Sequence, residues 1–266
     1  MNKHLSFVLV IAVLTAAVAA AQTSRPAAGQ TTSHSDLSGT WLFSIDLPPL
    51  AIKRQVNGAV TVKGIDASGR RPAAAVPGAL PSTPEPSYKP ELRAKVKDLF
   101  DHESRTDNVF YCGKPGVPRI GSPRRIIQLS NEMVFLYEDI SGDPYRIIPT
   151  DGRAHKKDPN PSYYGDSVGR WEGNVLVVDA VGFVEDTWFG EGGYFHSDQM
   201  RVVETFRREG NTLRYQATVY DPEVLVEPWV MAPRTMRLSP GSDGILPERG
   251  NCEVYELEDI TSQIRH

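Results

Sequence analysis

The chain has 266 residues, 40% of them hydrophobic and 23% charged, with 29 basic against 33 acidic side chains for a formal charge of −4 at pH 7. The apolar fraction is enough for a real core, and at roughly 100–200 residues per domain the length allows no more than about two. Both signs of charge are interspersed, which excludes a basic face for nucleic acid and a polybasic segment for lipid headgroups.

At the N-terminus, Lys3 and His4 precede an apolar run from Leu5 to Ala19, and Ala19-Ala20-Ala21 fits an A-x-A cleavage site. Residues 1–21 therefore read as a signal peptide and 22–36 as a polar linker. A membrane anchor would need about 20 apolar residues, and no cysteine stands at the cleavage point to take a lipid. The expectation is export to a periplasm or beyond, leaving residues 37–266 as a single domain. Its two cysteines, Cys112 and Cys252, are expected to pair in that compartment. They lack the CxxC spacing of a thiolate metal site.

Asp36 to Asp46 reads as a first strand, with Trp41 and Phe43 on one face and Leu42 on the other. Residues 56–90 form an irregular arm rich in Pro and Gly, whose prolines remove ladder donors. Pro90 to Asp101 reads as a short helix, with Leu92, Val96, Leu99 and Phe100 at helical spacing. Strand-like text then follows at 125–130, 132–139, 145–150, 166–173, 174–183, 201–210, 211–220, 228–238 and 252–259, rich in Val, Ile, Tyr, Phe and Thr. No long helix interrupts it. About nine or ten strands suit an all-β antiparallel meander barrel better than an open sheet with bare edges.

Gly173-Asn174 and Gly210-Asn211 sit between alternating runs as two-residue hairpin turns. Both belong at one end of such a barrel. The long connections, Asp151 to Tyr164, Val184 to Asp198 and Asp221 to Pro228, are expected to gather at the other end and frame a mouth, where binding groups concentrate.

The mouth so defined holds His155, near Asp151, and His196, near Asp198, and a carboxylate beside an imidazole is the usual composition of a general acid/base. The bland alternative is that each histidine caps a loop. His155 and His196 are the proton-transfer candidates, with Asp151 and Asp198 to orient them. Arg153 or Arg170 would bind an anionic group, Tyr164 and Trp188 would line the entrance, and Asp166 marks the mouth end of its strand. Glu204 shares a face with Val202 and Phe206, so it is the carboxylate best placed for a cavity, given a partner such as Arg170 or a raised pKa. No HxH or HExxH spacing supports a metal, and no cofactor is indicated.

Gly165, Ser167 and Gly169 spell G-x-S-x-G, but a nucleophile elbow leads from strand into helix, and here another strand follows. An α/β-hydrolase is excluded. Period two places Asp166, Val168, Arg170 and Glu172 on one face and Ser167, Gly169 and Trp171 on the other, and a one-residue slip would exchange them.

The stretches SGTW (38–41), CGKPGVPR (112–119), IIPTDGRAH (147–155), GDSVGRWEGNVLVVDAVGF (165–183) and HSDQMRVVETFRR (196–208), with Asp221-Pro222 and Pro228-Trp229, resemble an uncharacterised family of exported soil-bacterial proteins. The G-x-W of the first strand is also similar to that of lipocalin-type barrels, which hold small apolar ligands. That resemblance implies a fold and no activity. The functional expectation is an exported barrel enzyme performing metal-free acid/base chemistry of lyase, isomerase or hydrolase type on a small organic substrate. The alternatives are a non-catalytic small-molecule binding or carrier barrel, and an interaction module that uses the arm.

Overall fold

The computed structural model describes residues 34–43, 52–54, 60–62, 83–139, 142, 144–239 and 252. All of them belong to one unit, His34–His266. The signal peptide, most of the linker and all of the expected strand at 252–259 except Cys252 lie outside the described residues.

The strands are β1 (Gly39–Phe43), β2 (Ile52–Arg54), β3 (Val60–Val62), β4 (Arg125–Gln128), β5 (Glu132–Leu136), β6 (Tyr145–Pro149), β7 (Asp166–Glu172), β8 (Val175–Val181), β9 (Arg201–Glu209), β10 (Thr212–Tyr220), β11 (Trp229–Val230) and β12 (Arg234–Leu238). Helices α1 (Arg93–Asp101) and α2 (Glu103–Thr106) precede β4. Ten antiparallel strands form a nearly closed barrel in the order β6-β5-β4-β1-β12-β10-β9-β8-β7, with β11 on β10. Val60–Val62, inside the expected irregular arm 56–90, is strand β3, and it pairs with β2 just before the arm. Along α1, Leu92, Val96 and Leu99 pack on the core, whereas Phe100 is 53% exposed and faces away from it.

Alternation explains the interior. Leu176, Val178 and Ala180 of β8 point inward beside Phe206, Glu204 and Val202 of β9 and Tyr215, Ala217 and Val219 of β10. On β7 the register pairs Ser167, Gly169 and Trp171 with the inward row of β8. This settles the face: Asp166, Arg170 and Glu172 point outward.

The ring has nine strands in sequence between β6 and β7, and each neighbouring pair is antiparallel. Nine is odd, so β6 and β7 run in the same direction. They pack side by side without a ladder between them, and this seam is the one gap in the barrel. Parallel neighbours need a connection that travels the full strand length. The segment 150–165 is that connection, a strap that starts at the short-turn end, where Thr150 N–H donates to Asn131 O, and ends at the opposite end in β7. The two Gly-Asn turns do share one end. The expectation that 151–164 opens from the far mouth is corrected, because its first residues lie at the turn end.

Both ends are closed. At the turn end, Leu37 is fully buried and His34 stacks on Trp171, with ring centroids 4.6 Å apart. At the other end, segments 83–124, 182–200 and 221–233 form a cap. A disulfide between Cys112 and Cys252 ties the cap to the chain beyond β12.

Gly169 makes the seam. A Cβ there would lie 2.8 Å from Thr150 Cγ2 and 3.1 Å from Ile148 Cγ2, so the bare backbone of β7 lets β6 side chains settle on it. Gly169→Val should cost about 1–3 kcal/mol through overpacking. Urea denaturation should show a lower midpoint.

Candidate functional site

Inside the barrel, Arg146 of β6 and Glu204 of β9 form a salt bridge with side-chain exposures of 3% and 0%. Arg146 Nη1 donates to Glu204 Oε2 at 2.6 Å and to Tyr137 Oη at 3.0 Å, and Nη2 donates to Ser167 Oγ at 2.9 Å. Tyr215 Oη–H donates to Glu204 Oε1 at 3.1 Å. The inward row at this level is Gly169, Val178, Glu204 and Ala217, and its small members leave space for the guanidinium. Burial works against the charged guanidinium, but the Glu204 carboxylate outweighs it and holds Arg146 above its ordinary value. Burial also pushes the Tyr137 and Tyr215 hydroxyls up. Glu204 is thus the interior carboxylate the sequence points to, but its partner is Arg146. Arg170 points outward and pairs with Glu172, Nη2 to Oε1 at 2.7 Å. Ser167 is an acceptor for Arg146 and has no imidazole beside it.

With Trp41, Phe135, Tyr137, Leu176, Phe206, Tyr215 and Met236 all buried among these groups, the lumen is filled by side chains. A void of about 80 Å³ remains beside Tyr137 and Ser122.

His155 belongs to the strap and lies on the outer wall of the barrel. Its Nδ1 is 3.0 Å from Asp166 Oδ2 and its Nε2 is 3.5 Å from Asp179 Oδ1, and its side chain is 25% exposed. Lys156 N–H also donates to Asp166. Asp179 accepts from Arg201 Nε at 2.8 Å and from its Nη2. Burial raises the Asp179 carboxyl, but the Arg201 guanidinium, helped by His155, prevails and holds it below its usual value. The carboxylates that orient His155 are therefore Asp166 and Asp179. Asp151 instead pairs with Arg153 on the exposed start of the strap, at 2.6 Å, and neither reaches a mouth.

His196 is buried in the cap. Its Nδ1–H donates to Ser197 O at 2.8 Å, and its Nε2 lies 2.8 Å from Thr187 Oγ1, whose hydroxyl donates to Val184 O at 3.1 Å. Burial holds its pKa below the ordinary value, opposed by Ser197 O and Asp221. Asp198 contacts Gln199 and does not reach the ring. Asp221 accepts from Ser197 N, Ser197 Oγ and Glu223 N, fastening two cap loops together. The two histidines are on different elements, one on the wall and one in the cap, and do not form one site.

The cap itself holds a cleft of about 290 Å³. Its floor is aromatic, with Phe189 5.9 Å from Tyr194 and 5.2 Å from Trp229 between ring centroids. Arg119, Glu191 and Arg234 stand around it. Arg119 is held by a bidentate pair with the buried Asp107, at 2.8 and 2.6 Å, and lies over Trp188. Trp188 is buried behind that arginine, so it supports the cleft without lining it. Tyr164 stacks on Tyr137, 6.2 Å between centroids, above the barrel interior. Among the described residues no group of three or more His, Cys, Asp or Glu is arranged to hold a metal ion.

Sequence reasoning missed Arg146, Arg119, Glu191, Tyr194, Trp229 and Arg234 as site residues. Arg146 had a signal, since alternation along 145–149 places it on the inward face with Ile148. The cleft residues had none, because loop residues are brought together only by the fold. Comparison of the chain with family models, with curated proteins and with solved structures finds no match.

Two outcomes check this arrangement. Glu204→Leu alone should cost about 3–5 kcal/mol by stranding a buried guanidinium, whereas Arg146→Met with Glu204→Leu should recover most of that. Urea denaturation of the two variants measures it. Because the folded-state pKa of His196 lies below the ordinary 6.5, its contribution to stability is complete above that pH. It falls away as the pH drops further, since the unfolded chain takes up the proton first. Thermal melts from pH 7.5 to 5 should show this acid loss, reduced in His196→Gln.

Proposed function

We propose that this is an exported protein that binds a small, flat organic molecule in the cap cleft. The carrying observation is the cleft itself: an aromatic floor of Phe189, Tyr194 and Trp229 beneath groups of both charges, on a barrel whose lumen is filled. An aromatic floor offers stacking area, and rim charges on a rigid sheet-anchored loop fix orientation. The disulfide supports export, as it persists in oxidising compartments. Among the described residues no helix is long and apolar enough to cross a membrane. The signal-peptide reading of residues 1–21 belongs to the same proposal.

Acid/base chemistry is the second reading, and one observation favours it. His155 is partly exposed between two carboxylates, with Nδ1 3.0 Å from Asp166 Oδ2 and the buried Nε2 3.5 Å from Asp179 Oδ1. An imidazole held between two carboxylates at a partly exposed position has the composition of a proton-transfer group.

A thermal-shift screen of the mature protein against small-molecule pools separates the two. A ligand present at a hundred times its Kd should stabilise by about 2.7 kcal/mol. The expected result is that stabilisation is lost in Arg234→Gln or Glu191→Gln and kept in His155→Ala. Hits that ignore both rim substitutions would overturn the cleft reading, and turnover abolished by His155→Ala would establish the second.

A further inference from the structure

A larger groove, about 600 Å³, lies beside the cap cleft on the loop that follows β10. Its apolar surface comes from Tyr220, Pro222, Leu225, Val226 and Pro228. Tyr220 is 39% exposed and Val226 61%, so large apolar groups stand in water here. The volume lies inside the range of about 300–1,000 Å³ typical of ligand sites.

The same loop already recognises one stretch of extended chain. Residues 83–89, T-P-E-P-S-Y-K, lie across it. Val226 N–H donates to Ser87 O at 2.8 Å and Lys89 N–H donates to Val224 O at 3.0 Å. The Trp229 indole N–H donates to Pro84 O at 2.7 Å, and Ala232 N–H donates to Thr83 Oγ1 at 3.1 Å. Tyr88 fills a pocket against Phe189 and Phe195, its hydroxyl donating to Phe195 O. Lys89 has φ −56° and ψ 142°, close to polyproline II. An indole N–H directed at a proline carbonyl, with ring faces packed on an extended chain, is how proline-rich segments are bound in general.

We propose that the groove beside this segment binds a second extended, proline-bearing peptide, presented by a partner protein. Continuity carries the argument, since Lys89, Leu225 and Val226 belong both to the contact with residues 83–89 and to the groove. The chemistry of the lining selects a peptide over a charged small molecule. Of the two carboxylates that line it, Asp221 is engaged by Ser197 and Glu223, so much of the lining is ring and aliphatic surface. Lys89 and Glu227, of opposite sign, border it and can orient a chain that has direction. A polyproline II segment suits such a surface because its ordering cost is small.

The probe is a fluorescein-labelled decapeptide, Ala-Pro-Pro-Leu-Pro-Pro-Val-Pro-Pro-Ala, titrated with the full mature protein and followed by anisotropy. The control peptide has glycine for every proline. Saturable binding of the proline peptide is expected, weaker by roughly tenfold or more in Tyr220→Ala and Val226→Asp, as for loss of an anchoring side chain. Both substituted side chains are exposed, and an unchanged melting temperature confirms that the variants fold. Absence of saturation, equal binding of the glycine peptide, or equal binding by both variants would overturn the proposal. Neither substitution touches the cleft between Tyr194 and Arg234, so a negative result here leaves the small-molecule reading standing.

Discussion

Arg146 sits on β6, at one margin of the seam, and its guanidinium crosses to Ser167 on β7 and to Glu204 on β9. No backbone ladder joins β6 to β7, the two parallel strands that meet where the nine-strand ring comes round on itself. Side chains do the joining instead. Arg146 spans the upper part of the seam, and Ile148 and Thr150 lie on the bare backbone of Gly169 below it. A buried ion pair is a weak source of stability, since desolvation offsets much of its attraction. Its value here is positional: it fixes which strands lie opposite one another across a seam that no backbone ladder spans.

This polar cluster and its aromatic neighbours fill the barrel interior among the described residues. The strap carries His155 up the outer wall, where Asp166 and Asp179 hold it against β7 and β8. The cap loops are fastened by buried polar groups: Asp107 on Arg119, Asp221 on Ser197, and Thr187 on His196. Each closes a loop that sequence alone leaves free. Among the described residues, the cap cleft and the groove after β10 are concave surfaces carried by these loops.

The barrel was legible because alternation, Gly-Asn turns and strand spacing are local signals that agree with one another. The disulfide followed from compartment and count, and Cys112 and Cys252 do meet. Glu204 was legible as an inward carboxylate by its parity with Val202 and Phe206. The parity of 145–149 held the same information about Arg146. The connections 184–198 and 221–228 do lie at the end opposite the Gly-Asn turns, and only 151–164 departs, because β6 and β7 run in the same direction where alternation was assumed. Asp151 and Arg153 therefore stand at the turn end, and Asp198 faces away from the histidine two positions before it. Arg119, Tyr194 and the pair Trp229 and Arg234 come from three separate stretches, and no periodicity relates them.

The pairing of β1 with β12 has a bearing on how the molecule is made. Trp41 lies opposite Leu238, so the first strand of the ring has its neighbour on one side only after nearly the whole barrel sequence exists. Contacts of such sequence separation carry a large loop-closure entropy and form slowly. Until β12 arrives, β1 can pair with β4 alone, and the outer edges of β1 and β10 are open. The barrel is therefore assembled as a whole from its finished chain, and a truncation that removes β12 leaves two unprotected sheet edges rather than a smaller barrel.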